Sequence, residues 1–259
     1  MTMATPALQL EHVSKVIGGL TILEDISLTV QPGERRAVIG PNGAGKTTLL
    51  NVIAGFLPAT RGRVLVFGRD VTRLPAHRRV DVGLLKTNQQ PAVFQELTTR
   101  QNVLLALLRG RHPLLGLGGL VERDREIQRQ AERVLEEWGL LDVADVEVKH
   151  LPHGYQRRVE LAARFALRPK LLLLDEPAAG LAVDEIPAFI ERLKQLPRDM
   201  TIVLVEHSMR VVFSFADRIT VLHHGAVLAD GTPEEIQANE EVQAAYLAGA
   251  MRGRDAGAA

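Results

Sequence analysis

Residues 40–48 read Gly-Pro-Asn-Gly-Ala-Gly-Lys-Thr-Thr, and this stretch constrains the fold more than any other part of the chain. It fits the pattern G-x-x-x-x-G-K-[ST] at every fixed position. The run 36–39 before it predicts a short buried strand, and residues 47–56 after it have the apolar spacing of a helix. A glycine-rich turn between a strand and a helix N-terminus directs successive backbone N–H groups toward one anion. The stretch therefore predicts a phosphate-binding loop for a nucleoside triphosphate.

The side chains of this loop have distinct expected roles. We expect Lys46 to reach the β- and γ-phosphates, the Thr47 hydroxyl to ligate Mg²⁺, and Thr48 to lie near the α-phosphate. The other expected nucleotide-binding residues of the loop are Gly40, Pro41, Asn42, Gly43, Ala44 and Gly45. A purely structural glycine turn is the alternative, and the Lys-Thr-Thr run argues against it. The loop does not say how the triphosphate is used, because many protein families share it.

Composition excludes several classes of protein. The formal net charge of this 259-residue chain is zero, which gives no electrostatic footprint for nucleic acid. Cysteine is absent, so disulfides and cysteine metal sites are excluded. We expect neither a signal peptide nor a membrane span, because no apolar run approaches the roughly 18 residues that a spanning helix needs.

Hydrophobic patterning predicts an α/β chain. Alternating segments predict a small β layer, continuous apolar runs predict core strands, and helical spacing predicts helices between them. The predicted layer contains residues 8–13, 23–30 and 61–68, the core strands are 80–85, 171–174 and 201–205, and the helices are 99–108, 122–138 and 156–167.

Two further groups of polar residues follow predicted core strands. Asp175 and Glu176 end one strand, and His207 comes soon after the next. Ligands of open α/β sheets bind at the carboxyl ends of the strands, so these residues and the phosphate loop are expected at one nucleotide. Asp175 would hold Mg²⁺, Glu176 would polarise the attacking water, and His207 would contact the γ-phosphate. The alternatives are an ordinary strand-to-loop cap and a structural histidine.

With these residues in this order, the chain resembles the ATP-binding subunit of ABC (ATP-binding cassette) transporters over residues 7–249. The resemblance matches the family's glutamine loop to Gln89 and its signature, L-S-G-G-Q, to residues 151–155. It implies that Glu176, His207 and Gln89 are catalytic and that Thr47, Gln89 and Asp175 surround the metal. It also implies that an opposing subunit's ATP contacts the signature residues Pro152, His153, Gly154 and Tyr155.

The resemblance also implies an architecture, cofactors and partners. It implies a RecA-like P-loop NTPase core (about 7–88 and 169–249) with an antiparallel β layer and an inserted helical lobe (about 89–168), followed by a flexible tail (250–259). ATP and Mg²⁺ are the implied cofactors. The implied partners are a second ATP-binding subunit, identical or related, and integral membrane permease subunits, which would hold the chain at the cytoplasmic face of the membrane. No nucleic-acid partner is expected.

Within the family, the chain looks most like importers of branched-chain amino acids or related small solutes such as amides or urea. The sequence at 175–181, a Leu-rich insertion at 109–119, and the tail at 229–236 suggest this. An exporter ATPase of the lipopolysaccharide type is the nearest alternative. A soluble ABC ATPase acting on ribosomes or DNA is disfavoured by the single phosphate loop and the missing basic patch. A small-molecule kinase is disfavoured by the signature-like segment.

Four positions depart from the family pattern. Ile17 replaces the aromatic residue that usually stacks on adenine, which loses about 1 kcal/mol of stacking. Pro152 replaces the signature serine, Tyr155 replaces its glutamine, and Ala182 stands where a polar residue is usual. We expect a slower but still catalytic site, because Lys46 and the other catalytic residues are kept.

Substituting Pro152→Ser tests this expectation. Proline lacks both the hydroxyl and the backbone N–H that serine would offer to the γ-phosphate. One restored hydrogen bond of about 1 kcal/mol should raise steady-state ATP turnover about fivefold. An unchanged rate would refute the idea that Pro152 slows the site.

Overall fold

The computed structural model describes residues 5–87, 93–109, 124–181 and 184–247. These residues form two compact units. The first contains the residues up to Lys86, then Lys170–Ala178 and the residues from Asp184 onward, and the second contains Thr87–Pro169 and Ala179–Val183. Gln89, Ala182, the tail and all of the Leu-rich insertion after Arg109 lie outside the described residues.

In the described residues, the strands all belong to the first unit and form two sheets. They are β1 Leu8–Ile17, β2 Leu20–Val30, β3 Arg35–Ile39, β4 Arg61–Val66, β5 Arg69–Asp70, β6 Leu84–Lys86, β7 Leu171–Asp175, β8 Thr201–Val205, β9 Arg218–His223 and β10 Ala226–Gly231. One sheet has the order β2-β1-β4-β5 with antiparallel pairing throughout, so the predicted antiparallel β layer is confirmed.

The larger sheet has the order β10-β9-β3-β8-β7-β6 and is parallel except for the β9–β10 hairpin. Every residue of β3, β7 and β8 is buried, as in a parallel sheet covered on both faces. The register pairs Ala37 with Leu204 and Leu173 with Val203. Because these strands run in one direction, their carboxyl ends meet at one edge of the sheet.

Helices connect the strands and build the second unit. They are α1 Lys46–Ala54, α2 Ala76–Arg79, α3 Thr99–Arg109, α4 Arg125–Glu137, α5 His153–Ala166, α6 Glu185–Lys194, α7 Met209–Phe215, α8 Pro233–Ala238 and α9 Glu240–Val242. A π-helical turn, Gln243–Leu247, follows α9. Among the helices of the described ranges, none has the length and apolar character needed to cross a bilayer.

For two of the predicted elements, a single residue explains why the observed bounds differ. The strand predicted at 80–85 is a 3₁₀ turn at Val80–Val82 followed by the short β6. Gly83 lies between them at φ 86°, a conformation that ends the turn and cannot continue a strand. The helix predicted from residue 156 begins at His153, because Pro152 occupies its N-cap position with an extended ψ of 152°.

The second unit has its own apolar core. Helices α3, α4 and α5 bury a set of apolar residues, and the Trp138 ring stacks on that of Phe165 with centroids 5.0 Å apart. The Asp124 carboxylate caps α4 by accepting from the N–H groups of Glu126 and Ile127. Buried apolar members are Val103, Leu104, Ile127, Ala131, Leu135, Val159, Leu161 and Ala162.

A buried arginine fixes the far end of α1 in the first unit. Arg79 is 1% exposed, and its guanidinium donates to the carbonyls of Val52 and Ile53 at 2.8 and 2.6 Å. It also donates to the carbonyls of Leu74 and Thr72. The last carbonyls of a helix have no partner within the helix, so one side chain satisfies α1 and the segment after it. Burial lowers the pKa of Arg79 to about 10.

Arg79→Met should therefore destabilise the chain. The substitution keeps much of the side-chain volume but leaves several buried carbonyls without a donor, which should cost roughly 3 kcal/mol of unfolding free energy. Urea unfolding at pH 7 measures the loss. Arg78→Met is the matched control, because the Arg78 side chain is 66% exposed and its ion pair with Asp81 spans 3.9 Å. Equal effects of the two substitutions would contradict this account of Arg79.

Candidate functional site

The turn between β3 and α1 has a backbone that only glycine can adopt at its first position. Gly40 has φ 153°, and a Cβ atom there would lie 2.1 Å from the carbonyl oxygen of Leu222. Gly43 has φ 82°, and a Cβ atom there would meet nothing within 4 Å. The loop is thus packed against the sheet on one side and open on the side of Gly43. An open concavity of this kind at a helix N-terminus fits a phosphate chain.

Lys46 begins α1 and folds back over the loop. Its ammonium donates to the carbonyls of Gly40 at 2.8 Å and Pro41 at 3.0 Å, and the residue is only 6% exposed. Burial lowers the pKa of Lys46, while the carboxylates of Glu176 and Asp175 partly offset that effect. The loop's own carbonyls therefore hold a cation near the carboxylates at the end of β7.

Neighbouring backbone supports the loop from the outside. The N–H of Gly225, in the β9–β10 turn, donates to the carbonyl of Ala44 at 3.2 Å. The carbonyl of Gly225 accepts from the N–H of Glu24 in β2 at 2.8 Å. Nothing in the sequence pattern indicated that the turn of this hairpin would support the phosphate loop.

Asp175 is the last residue of β7 and is fully buried. Its Oδ2 accepts from the ammonium of Lys86, at the end of the neighbouring β6, at 2.9 Å. Lys86 was not predicted as a site residue, because only the parallel pairing of β6 and β7 reveals its position. The pair places a buried cation directly beside the carboxylate expected to serve the metal.

Glu176 and His207 contact each other just beyond the strand ends. Oε1 of Glu176 lies 3.1 Å from Nε2 of His207, and the two side chains are 26% and 41% exposed. The Glu176 N–H donates to the carbonyl of Val205 at 2.9 Å. Glu176 adopts φ 48°, a left-handed conformation that is costly for a residue with a Cβ atom. The two expected catalytic residues are thus partly accessible and mutually oriented.

The first unit therefore brings the phosphate loop, Asp175, Glu176 and His207 to one edge of the parallel sheet. In the described part of the chain, no group of three or more His, Asp or Glu side chains is arranged to hold a metal. The hydroxyl of Thr47 and the carboxylate of Asp175 are hard oxygen donors of the kind that Mg²⁺ prefers. Mg²⁺ commonly takes one or two such protein ligands and completes its shell with phosphate oxygens and water, so this donor set fits the ion.

The position expected to face adenine also belongs to the first unit. Ile17 ends β1 and is 46% exposed. Val16 and Leu20, around the same hairpin turn, are also exposed. This hairpin tip presents an aliphatic surface to which a base could pack without aromatic stacking.

The signature residues lie in the second unit, at the start of α5. Pro152 is the N-cap, and its carbonyl accepts from the N–H groups of Tyr155 and Gln156 at 2.9 and 3.1 Å. The N–H groups of His153 and Gly154 lie in the first turn of α5, where main-chain amides have no acceptor within the helix. The Arg158 guanidinium lies 3.8 Å from the centre of the Tyr155 ring.

Comparison with known proteins places these features in a family. A profile described as ABC transporter matches residues 23–179, and one described as branched-chain amino acid ATP-binding cassette transporter matches residues 226–247. The high-affinity branched-chain amino acid transport ATP-binding protein BraF of Pseudomonas aeruginosa is 37% identical over 254 residues. That alignment covers 95% of this chain and 99% of BraF.

Solved structures of ATP-binding cassettes are also similar to this chain. The ADP conformation of MJ1267, an ATP-binding cassette of an ABC transporter, has a TM-score of 0.81 and 28% identity, covering 93% of this chain and 98% of that one. The dimeric post-hydrolysis state of the ATP-binding cassette MJ0796, bound to ADP and Pi, has a TM-score of 0.75 and 25% identity. Its alignment covers 87% of this chain and 98% of that one.

The left-handed backbone at residue 176 should affect the stability of variants at this position. Glycine adopts this conformation without a Cβ clash, so Glu176→Gly should be more stable than Glu176→Gln by about 1 kcal/mol, after glycine's own entropy cost. Both substitutions remove the carboxylate charge, so the loss of that charge does not contribute to the difference between them. Urea unfolding of the two variants measures the difference. Equal stability, or a less stable glycine variant, would show that the backbone at residue 176 carries no such cost.

Proposed function

This chain belongs to the ABC transporter family of ATP-binding proteins, and from that premise we propose that it powers the import of branched-chain amino acids or a related small solute. The family prediction made from the motifs is confirmed by the matches along most of the chain. ATP hydrolysis coupled to transport is the activity of this family. The observation that best supports a hydrolytic role for this chain is the 3.1 Å contact of Glu176 with His207 beside the phosphate loop.

Each group at the sheet edge has a role in the proposed mechanism. The loop amides and the Lys46 ammonium bind the β- and γ-phosphates, where Lys46 stabilises negative charge that develops during phosphoryl transfer. The carboxylate of Glu176 orients the attacking water and accepts its proton. His207, held against Glu176, contacts the γ-phosphate and positions that water.

Thr47 and Asp175 are the residues that would hold Mg²⁺. Held there, the ion would supply positive charge that offsets the negative charge of the phosphates. In this proposal, Asp175 also keeps its hydrogen bond from Lys86 when nucleotide leaves, so that the buried carboxylate is never left beside apolar groups alone. Gln89 remains a proposed metal and water contact, and it lies outside the described residues.

We propose a paired arrangement for the working protein. The α5 N-terminus, with Pro152, His153, Gly154 and Tyr155, would contact ATP bound to the phosphate loop of a second ATP-binding subunit. The dimeric state of MJ0796 with ADP and Pi supports pairing of such cassettes. Integral membrane permease subunits would convert dimer closure and opening into transport, and would hold this chain at the cytoplasmic face of the membrane.

The C-terminal match favours an importer over the exporter alternative. Residues 226–247 fit the branched-chain amino acid type of cassette, and BraF, which aligns over nearly its full length, is named for that transport. Amides and urea remain the related solutes considered, since solute choice would belong to the membrane and extracytoplasmic partners.

Glu176→Gln tests the hydrolytic role. The amide keeps the shape of the side chain but cannot accept the proton, so steady-state ATP turnover should fall about 100-fold or more. The variant should also accumulate as a dimer with ATP and Mg²⁺, measured by light scattering after size exclusion. Glu191→Gln is the matched control, because Glu191 lies on α6 with a 66% exposed side chain.

Two results would contradict the proposal. If Glu176→Gln hydrolysed ATP at the wild-type rate, Glu176 would not be the base. If the wild type neither hydrolysed ATP nor dimerised with it, this chain would not be a self-sufficient ATPase subunit.

A further inference from the structure

Glu206 is a buried carboxylate that accepts hydrogen bonds from three main-chain N–H groups. It follows β8 directly and is 3% exposed. Its Oε1 accepts from the N–H of Ala178 at 2.8 Å. Its Oε2 accepts from the N–H groups of His207 and Ser208 at 3.0 and 3.3 Å. One side chain thus holds the backbone of two segments, the one after β7 and the one after β8.

Burial of the Glu206 carboxylate costs free energy. Burial raises the pKa of Glu206, the three N–H groups lower it, and the carboxylate of Glu176 raises it further, with a net upward shift. An apolar side chain would fill the same space without desolvating a carboxylate. The cost therefore indicates that the bonds to Ala178, His207 and Ser208 have a use beyond packing.

The bonds join the two segments that carry the expected catalytic pair. The β7–β8 ladder ends at the bond between the Glu176 N–H and the Val205 carbonyl. Beyond that point, Ala178 lies two residues after Glu176, and His207 comes immediately after Glu206. The Glu206 carboxylate extends the connection between these two segments beyond the last main-chain hydrogen bond of the β7–β8 pair. Glu176, two residues before Ala178, has a left-handed conformation of a kind that persists only when the surroundings determine it.

We propose that Glu206 is a positioning residue for ATP hydrolysis: it holds the loop after Glu176 and the start of α7 together, and so sets the contact between Glu176 and His207. This inference rests on the roles proposed above for Glu176 and His207. Glu206 is not itself the base, because both of its oxygens accept main-chain N–H groups and it has almost no exposed surface.

Glu206→Gln tests the proposal with little change in size. The amide has one oxygen for three donors and points an NH₂ group at one of the backbone N–H groups. We expect kcat to fall about tenfold while KM for ATP changes less than about twofold, because the phosphate loop is unaltered. Glu206→Asp keeps the charge but shortens the reach, and should lie between the wild type and Glu206→Gln. Asp230→Asn is the control, a structural carboxylate on the same sheet that pairs with Arg36 and Arg218 and should leave kcat unchanged.

A double-mutant cycle with His207→Ala separates positioning from simple destabilisation. If Glu206 acts through His207, Glu206→Gln should lower kcat less than about twofold in the His207→Ala background. An equal loss with and without His207, or a lowered thermal midpoint with unchanged kcat, overturns the proposal. If Glu206→Gln does not fold, the same cycle is run with Glu206→Asp. Wild-type turnover that survives Glu176→Gln would instead refute the function on which the inference rests, so the two failures are distinguishable.

Discussion

The site depends on the parallel, in-register pairing of β3, β8 and β7. This pairing places the residues that follow three strands at one edge of the sheet: the phosphate loop after Ile39, Glu206 and His207 after Val205, and Glu176 after Asp175. The strands are buried on both faces, so a one-residue slip would exchange the side chains that pack on the two faces and disrupt the packing of both. Core packing thereby fixes the position of polar groups that contribute little to the core themselves.

Several buried charged groups lie at this edge, and each of them has a defined partner. Lys46 binds loop carbonyls, Lys86 binds Asp175, and Glu206 binds backbone N–H groups. Buried charges are tolerated only when they are paired or hydrogen-bonded. Far from the edge, the buried Arg79 is satisfied in the same way by carbonyls at the end of α1. The edge thus combines a strained backbone at Glu176 with buried charged side chains. Both features cost free energy, and both are common where a protein binds and transforms a ligand.

Much of this could be predicted from the sequence, because the strongest signals were local. The glycine pattern at 40–48 identified the loop, and apolar runs identified β7 and β8. Gly83 was the signal that the strand predicted at 80–85 would be interrupted, and the prediction overlooked it. Lys86 and the β9–β10 turn could not be assigned, because their contacts come from strand order, which no local pattern encodes. Glu206 stood beside His207 in the sequence, yet its burial and its bond to Ala178 appear only in three dimensions.

The most direct test of the central claim is a crystal structure of the Glu176→Gln variant with ATP and Mg²⁺. The account predicts the γ-phosphate within hydrogen-bond distance of Lys46 Nζ and His207 Nε2, and a metal contacting the Thr47 hydroxyl. It also predicts that Glu206 keeps its bonds to Ala178 and His207. A triphosphate bound away from this sheet edge, or a γ-phosphate that contacts neither Lys46 nor His207, would contradict it.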